Sequence, residues 1–468
     1  MSQIQQILED PRRFRRHMAI VLGIAVLVRL AVVAAFWHSW GWHHGDIPDS
    51  WNKLAINLVD SGTFGFVPGQ STITRGPVFP LVEVPLYLAF GENYAGWCIS
   101  LLLLDTLTCF LIITLFRKLW GNLAALLAGL FYAVNLPIIY YTAKISQVTS
   151  ILPFVALYMY LFSSWEHAYS CRWRPWVLGL VSGLMILNKT VYLPIPIVCS
   201  GLLLWSKRLE LKRWPPLLPV ALYLLVTAAV VAPWTMRNYV LTGGKLVPVQ
   251  SLFWELNVQD VLYYDLTKER GLDRPEGMTL DYFIEQERQM LVANGVSPDY
   301  PKYMSRAKWE YACEQAYRAV YLKSLRQDPG KILRVKVENL WNFWVRAENR
   351  QKTLLLILMQ VPFLGAVMAS LIILLHRRQL HRVKFGLIIV LVLWAEHFLV
   401  FAWGRFSLDL VPILGLIFGL GAAARLRAST DSCSASDEQR KNRRRHAGVQ
   451  RRANTPPGPA GVTPVRER

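Results

Sequence analysis

Long apolar runs alternate with short polar segments along most of the chain. Eleven of these runs approach or reach the length of about 20 helical residues that crosses a hydrocarbon core of about 30 Å. They cover residues 18–37, 77–91, 96–116, 122–142, 147–164, 175–188, 190–206, 215–234, 353–375, 384–403 and 406–424. The pattern therefore predicts an all-α polytopic membrane protein.

Two longer polar regions interrupt the apolar runs. The second mixes charged and aromatic residues at helical spacing, so we expect a folded, mainly helical unit there. The resulting organisation is a basic N-terminus (1–17), an N-terminal membrane module (18–234) with its first loop at 38–76, a large loop (235–352), C-terminal membrane helices (353–424) and a disordered basic tail (425–468).

The first loop contains a short amphipathic pattern. Apolar residues recur at i, i+3, i+4 and i+7 from Trp51 to Leu58, which predicts a helix with one apolar face. Asp49 or Ser50 suits its N-cap and Gly62 suits its C-terminal end. The pattern favours a helix lying on the outer membrane surface, just after the first span.

The composition agrees with a membrane protein. Hydrophobic residues make up 53% of the 468 residues and charged residues only 18%, whereas soluble chains carry about a quarter. The net charge of +20 sits at the two ends and in short loops, which is the pattern of the positive-inside rule. We therefore expect no nucleic-acid partner, although the basic tail could also contact anionic lipid.

The same charges predict the topology. Basic residues at 12–16, 207–213 and 376–384 belong in the cytosol, which puts both loops outside a cytoplasmic membrane. An even number of crossings is then required, so one of the eleven segments does not cross. Segments 77–91 and 175–188 are the doubtful ones, the latter together with 190–206, because they are short.

The six cysteines are scattered without a CxxC pair, which favours neither a disulfide framework nor a zinc site. No Asp-x-Asp motif or Gly-rich phosphate loop indicates a nucleotide-sugar site.

Ionisable residues within spans are costly and tend to face a cavity or a partner. Here they are Arg29, Glu83, Asp105, Lys144, Lys189, Glu396, His397, Arg405 and Asp409.

A Pro-punctuated segment follows the predicted surface helix. Arg75 lies in Thr74-Arg75-Gly76-Pro77, immediately before an apolar run. An arginine near lipid headgroups can hold a phosphate through paired, charge-assisted hydrogen bonds. It can equally be an interfacial anchor, and the residues themselves leave both roles open. Asp49 likewise is either a helix cap or a functional carboxylate.

Four motifs in order resemble the C-type (GT-C) glycosyltransferases, and among them the protein O-mannosyltransferases and the aminoarabinose transferases that modify lipid A. These are an acidic residue before the surface helix, "L-A-x-N-L-x-x-x-G-x-F" from Leu54, "R-G-P-x-F-P" from Arg75, and "P-W-x-x-R-N-Y" from Pro233. A further match, "R-Y/F-x-x-P-x-x-P" from Arg405, has Asp409 in place of its first proline.

The resemblance implies a transferase that uses a polyprenyl-phosphate-linked sugar donor at the outer membrane face, with inversion at the anomeric carbon. It implies a glycolipid, glycan or protein acceptor and the surrounding membrane lipid as partners. No cofactor is required, and a divalent metal is possible but not indicated. A carboxylate of the first loop takes the proton of the acceptor hydroxyl, since a hydroxyl is a weak nucleophile.

The family's acidic position falls on Asp49. Because the spacing to the following Leu-Ala step is about two residues shorter than in the aminoarabinose transferases, Asp46 is the alternative base. Arg75 matches the basic position near the carrier phosphate. Arg237, Lys189 and Arg405 are further candidates for binding the donor phosphate, and Arg237 could instead be an interfacial anchor.

Two other functions fit a many-span plan. A lipid-linked oligosaccharide polymerase or ligase also combines many spans with a large outer loop. A transporter often shows inverted repeats with matching broken helices, whereas eight candidate segments precede the large loop here and three follow it. The lopsided arrangement argues against a transporter.

Overall fold

The computed structural model describes residues 10–36, 50–167, 172–212, 215–265, 278–301, 304–347, 350–399, 404–426 and 428. Within these ranges every regular element is a helix, and the one β-type pairing is an isolated bridge between Val67 and Gln70. The prediction of an all-α chain is confirmed.

Ten helices precede the large loop, with a short 3-10 helix (Thr190–Tyr192) before the ninth. They are α1 (Pro11–Phe36), α2 (Trp51–Ser61), α3 (Val78–Phe90), α4 (Tyr94–Trp120), α5 (Asn122–Ala133), α6 (Leu136–Ala143), α7 (Val148–His167), α8 (Arg174–Asn188), α9 (Ile195–Leu211) and α10 (Leu218–Leu241).

Four helices form the large loop, and three follow it. They are α11 (Phe253–Tyr264), α12 (Met278–Ala293), α13 (Arg306–Gln327), α14 (Pro329–Val345), α15 (Arg350–His376), α16 (Lys384–Leu399) and α17 (residues 411–426). A 3-10 helix, Gly404–Leu410, leads into α17. The large loop is therefore mainly helical in its described parts, as predicted.

Fewer helices can cross a membrane than the eleven predicted segments. In the described ranges seven are long and apolar enough, or eight if the pair α5–α6, bent by 53°, counts as one span. The helices α3 and α8 have only 13 and 15 residues, so they reach about 20 and 23 Å at ~1.5 Å per residue. They correspond to two of the three segments that the sequence marked as doubtful; the third, 190–206, lies within Thr190–Leu211, which is long and apolar enough to cross.

The membrane helices share one continuous apolar core. It joins α4, α5 and α7 to the last span, which is mostly buried by its neighbours. Phe131 of α5 packs edge-on against Phe363 of α15 at 5.1 Å between ring centroids, and lies 5.2 Å from Phe418 of α17. The C-terminal helices are thus packed into the N-terminal module rather than beside it.

One pair of ionisable residues in the spans is structural. Arg29 of α1 donates through Nε to Asp105 of α4 at 2.6 Å, and the hydroxyl of Tyr132 donates to the other carboxylate oxygen. All three side chains are fully buried. A buried, hydrogen-bonded pair avoids leaving either charge unpaired in a low-dielectric interior, and it ties α1 to α4 and α5.

A buried polar cluster holds two helices of the large loop together. Asp260 of α11 accepts from Lys336 at 3.2 Å, from Asn339, and from Arg346 at 3.4 Å, which lie on or just after α14. Burial lowers the pKa of Lys336, and the negative charge of Asp260 opposes this. Because the cluster joins α11 to α14, these two helices keep a fixed relative position.

Candidate active site

The amphipathic helix predicted after the first span is present as α2, and its location at the outer membrane surface stays a prediction. Trp51, Leu54 and Ala55 of α2 are buried, and Gly62 ends the helix with a positive φ of 66°. Ser50, one of the two predicted caps, stands at the N-cap position, but its side chain makes no capping hydrogen bond. Asp46 and Asp49 lie outside the described residues, and the choice of base between them stays a prediction.

Arg75 lies beside the buried end of α2. Its guanidinium is 5.3 Å from the ring of Trp51 and 5.8 Å from that of Phe66, distances at which a cation is attracted to an aromatic face. It donates to the carbonyl of Thr74 at 3.2 Å. Its Nε is buried without a hydrogen-bond partner among the described residues, so the fork keeps donors for a ligand.

The glycine after Arg75 allows a close backbone contact. A Cβ at Gly76 would lie 2.1 Å from the carbonyl oxygen of Leu187 and 3.4 Å from that of Asn188, so no larger residue fits without a shift of the backbone. These two residues end α8, directly before Lys189. The R-G-P segment and the break after α8, which are distant in sequence, are therefore adjacent.

Arg237 holds the loop that carries Arg75. Its Nη1 donates to the carbonyl of Thr72 at 3.0 Å and its Nη2 to that of Phe64 at 3.3 Å. Its guanidinium also lies 4.3 Å from the Trp234 ring. The geometry assigns Arg237 a positioning role in the loop, and its direct contact with a donor phosphate stays a prediction.

Glu310 of α13 holds the same loop from the other side. Its carboxylate accepts from the Thr72 hydroxyl at 2.8 Å and from the Ile73 amide at 2.9 Å, and Arg306 donates to it at 2.9 Å. Glu310 is buried. Its role in the loop could not be read from the sequence, since Thr72 and Ile73 are 238 and 237 residues away.

We expect Glu310→Ala to lower both stability and donor binding. Removing one partner of a buried, charge-assisted network typically costs about 3–5 kcal/mol, because Ile73, Thr72 and Arg306 lose their acceptor. Thermal unfolding of the purified protein should shift downward and proteolysis of residues 62–76 should accelerate. Glu285→Ala is the matched control, because Glu285 is exposed on α12; an equal shift in both variants would contradict the anchoring role.

Lys189 is held by a buried counter-ion. Its Nζ donates to both carboxylate oxygens of Asp409 at 2.8 Å, and the hydroxyl of Tyr192 donates to Asp409 at 3.3 Å. The pair joins the break after α8 to the 3-10 helix before α17. The two bonds to Asp409 use two of the three N–H donors of Lys189, so at most one donor is left for a phosphate while the pair is intact.

Arg405 lies in the same neighbourhood as Lys189. Both cations face the ring of Phe406, Arg405 at 5.5 Å and Lys189 at 5.9 Å, and the ring of His397 is 5.3 Å from it. Lys189 and Arg405 are thus grouped around the ring of Phe406. Arg75 and Arg237 form a second group, at the loop between α2 and α3. Gly76 connects the two groups through its contact with the end of α8.

A carboxyl group that the sequence did not single out lies near Arg75. Burial, with a smaller contribution from the charge of Glu287, raises the pKa of Glu255 to about 8, and the charge of Arg75 opposes the shift. Gln259 donates to Glu255 at 3.2 Å and to Glu287 at 2.9 Å. The raised pKa favours the neutral form of the Glu255 carboxyl, which weakens its attraction for Arg75.

Metal ligands are not clustered in the part of the chain that the structure describes. No group of three or more His, Cys, Asp or Glu side chains there could hold a metal ion. Asp46 and Asp49 are outside this part, so the possibility of a divalent metal stays open.

One family model matches the sequence, over residues 75–234, and it describes the dolichyl-phosphate-mannose-protein mannosyltransferases. The match begins at Arg75 and ends just before Arg237. The match spans a third of the chain, which is too small a share to assign the chain to this family. No curated protein matches the sequence significantly.

Solved structures show the same fold. The oligosaccharyltransferase AglB from Archaeoglobus fulgidus, in complex with an inhibitory peptide and a dolichol-phosphate, matches with a TM-score of 0.53 and 13% identity over 92% of this chain and 52% of that chain. The apo oligosaccharyltransferase of the same organism gives a TM-score of 0.51, 13% identity and the same two coverages. This chain thus spans about half the length of those proteins.

ArnT from Cupriavidus metallidurans bound to undecaprenyl phosphate is also similar, with 15% identity over 85% of this chain and 78% of that chain. Its TM-score of 0.34 is too low for a shared fold to be argued from it. The fold is instead shown by the two AglB matches. This chain is a multi-pass membrane protein with the C-type glycosyltransferase (GT-C) fold that its motifs indicated.

Proposed function

We propose that this protein is a membrane glycosyltransferase. It transfers a sugar from a polyprenyl-phosphate-linked donor to an acceptor hydroxyl, at the extracytoplasmic face of the cytoplasmic membrane and with inversion at the anomeric carbon. The acceptor is a glycolipid, a glycan or a protein. The proposal combines the GT-C fold with the chemistry of the residues around Arg75.

The observation that carries the proposal is the state of Arg75. Among the described residues its guanidinium has no ion-pair partner, and its Nε has no hydrogen-bond acceptor. The loop that presents it is anchored from two sides by Arg237 and Glu310. A fixed, uncompensated arginine fork is suited to a phosphate, which supplies the matching acceptors.

The reaction follows from these groups. The acceptor oxygen forms a bond to the anomeric carbon while the bond from that carbon to the phosphate oxygen breaks. The acceptor proton passes to the carboxylate of Asp49, or of Asp46 in the alternative assignment. Arg75 stabilises the negative charge that develops on the leaving phosphate. A single displacement from the opposite side of the sugar inverts the anomeric carbon.

Similar proteins support the choice of donor. The matching family model is described by dolichyl-phosphate-mannose, and the AglB structure contains a dolichol-phosphate. Both names contain a polyprenol-type phosphate. Lys189 and Arg405, grouped around Phe406, are candidates for a second contact with that phosphate.

The lipid that copurifies with the protein tests the donor. Solvent extracts of the purified protein should contain a polyprenyl phosphate or its glycosyl ester by mass spectrometry, and extracts of an Arg75→Ala preparation should contain much less. Equal amounts in both, or none above the level found with an unrelated membrane protein, would contradict the proposed donor site.

The face of the active site can be tested with cysteines. Single cysteines at Gln70 in the first loop and at Glu285 in the large loop should both react with an impermeant thiol reagent on intact cells. A cysteine at Arg378, in the basic loop between α15 and α16, should react only after the membrane is opened. Labelling of just one of the two outer positions would break the proposed topology.

A further inference from the structure

The helix α14 carries an apolar face that no other described part of the chain covers. Leu333, Val337 and Trp341 recur every four residues and are 57%, 53% and 60% exposed. The opposite side of the helix, including Val335 and Phe343, is buried. Large apolar residues exposed together mark an interaction surface more often than scattered ones do.

Its neighbours place this face next to lipid. The helix packs on α16 and on the 3-10 helix Gly404–Leu410, and the span α15 begins a few residues after α14 ends. Trp394 of α16 donates to the carbonyl of Leu340 at 2.7 Å, and its ring lies 6.2 Å from that of Trp344. On α16, Leu391 and Leu399 are themselves exposed, as residues of a lipid-facing helix are.

The exposed face of α14 is therefore continuous with a lipid-facing surface. Arg334 is exposed at its edge, where an amphipathic side chain can keep its charge among headgroups. Tryptophan and arginine beside an apolar stripe are typical of helices that lie in the interface of a bilayer.

We propose that α14 lies in the outer-leaflet interface, with Leu333, Val337 and Trp341 in contact with phospholipid acyl chains and Arg334 at the headgroups. The sequence placed this helix wholly in an extramembrane loop. The Asp260 cluster on its buried side links it to α11, whose Glu255 lies near Arg75. The bilayer thereby supports the helices that cover the candidate site.

Site-directed spin labelling of the full-length protein in phospholipid nanodiscs tests the proposal. Cysteines at Val337 and Trp341, introduced after removal of the native cysteines, are labelled with a nitroxide. Oxygen should relax both labels more than a water-soluble nickel complex does. A label at Lys323, which is exposed on α13, should show the reverse order. Greater access of the nickel complex at Val337 and Trp341 would overturn the proposal, because the face would then lie in water or await a protein partner.

The wild-type protein provides a second measurement that needs no variant. Diazirine-bearing phospholipid in the nanodisc, activated by light, should label the peptide that contains residues 333–341. The exposed part of α13 around Lys323 should stay unlabelled. If neither peptide is labelled while residues of α15 are, α14 does not contact lipid. Neither experiment depends on transferase activity, so a negative result would contradict the placement of α14 without contradicting the proposed function.

Discussion

Replacement of Arg75 by alanine is expected to reduce sugar transfer by about 10²–10³-fold, the usual effect of removing one donor that stabilises charge in a transition state. Arg75→Lys should retain a part of the activity, since it keeps the charge and loses the planar fork. The reason is structural: the guanidinium keeps free donors among the described residues, on a loop held by Arg237 and Glu310. Transfer rates of purified protein in detergent, at varied donor concentration, measure the effect.

The control must separate this effect from a loss of stability. Arg75 also stacks on Trp51 and Phe66, contacts worth about 0.5–1 kcal/mol each at exposed sites. Thermal unfolding should therefore shift only modestly. Lys323→Ala, which removes an exposed cation of α13, should leave transfer unchanged. Near wild-type transfer by Arg75→Ala, with unchanged dependence on donor, would show that Arg75 does not bind the phosphate.

The second large effect is expected from Asp49→Asn. The asparagine keeps the size of the side chain and much of its capping ability, but it cannot accept a proton. General-base assistance is worth about 10²–10⁴-fold in rate, whereas a lost helix cap costs about 1 kcal/mol of stability. The purified variant should remain folded and bind lipid donor, yet turn over at least about a hundredfold more slowly.

Asp46→Asn is the matched comparison, since both carboxylates lie in the segment before α2. It should lose much less activity than Asp49→Asn. The opposite order would identify Asp46 as the base, and full activity in both variants would mean that another group accepts the proton. Glu255, with its pKa raised to about 8, would then be the next carboxyl group to replace.

Local patterns were sufficient for the elements and for part of the site. The apolar spacing from Trp51 to Leu58 and the glycine at position 62 predicted α2 with its buried face, because both signals depend on residues within a few turns of one another. The Arg75-Gly76-Pro77 segment was likewise visible, although only the structure explains its glycine. The carbonyl that excludes a Cβ belongs to Leu187.

Span number was predicted less well than span position. Hydropathy locates an apolar segment but does not say whether it runs straight, and α5 and α6 bend by 53°. Short apolar helices such as α3 can be covered by neighbouring helices instead of crossing alone, and its Glu83 is fully buried. The proposed placement of α14 at the membrane interface could not be predicted from hydropathy either, because its apolar stripe is shorter than a span.

By itself, the sequence determined a helical membrane protein with an amphipathic helix after the first span, basic residues in short loops and at the ends, and a set of candidate cations. Hydropathy, helical period and charge are properties of neighbouring residues, so they can be read from the sequence without knowledge of how the helices pack. Only the tertiary structure decided what each cation contacts. Arg237 is committed to carbonyls of a loop 165 residues away, and Lys189 to Asp409 across 220 residues. Such contacts depend on how the helices pack, so the structure distinguishes Arg75, with donors to spare, from cations that already hold the protein together.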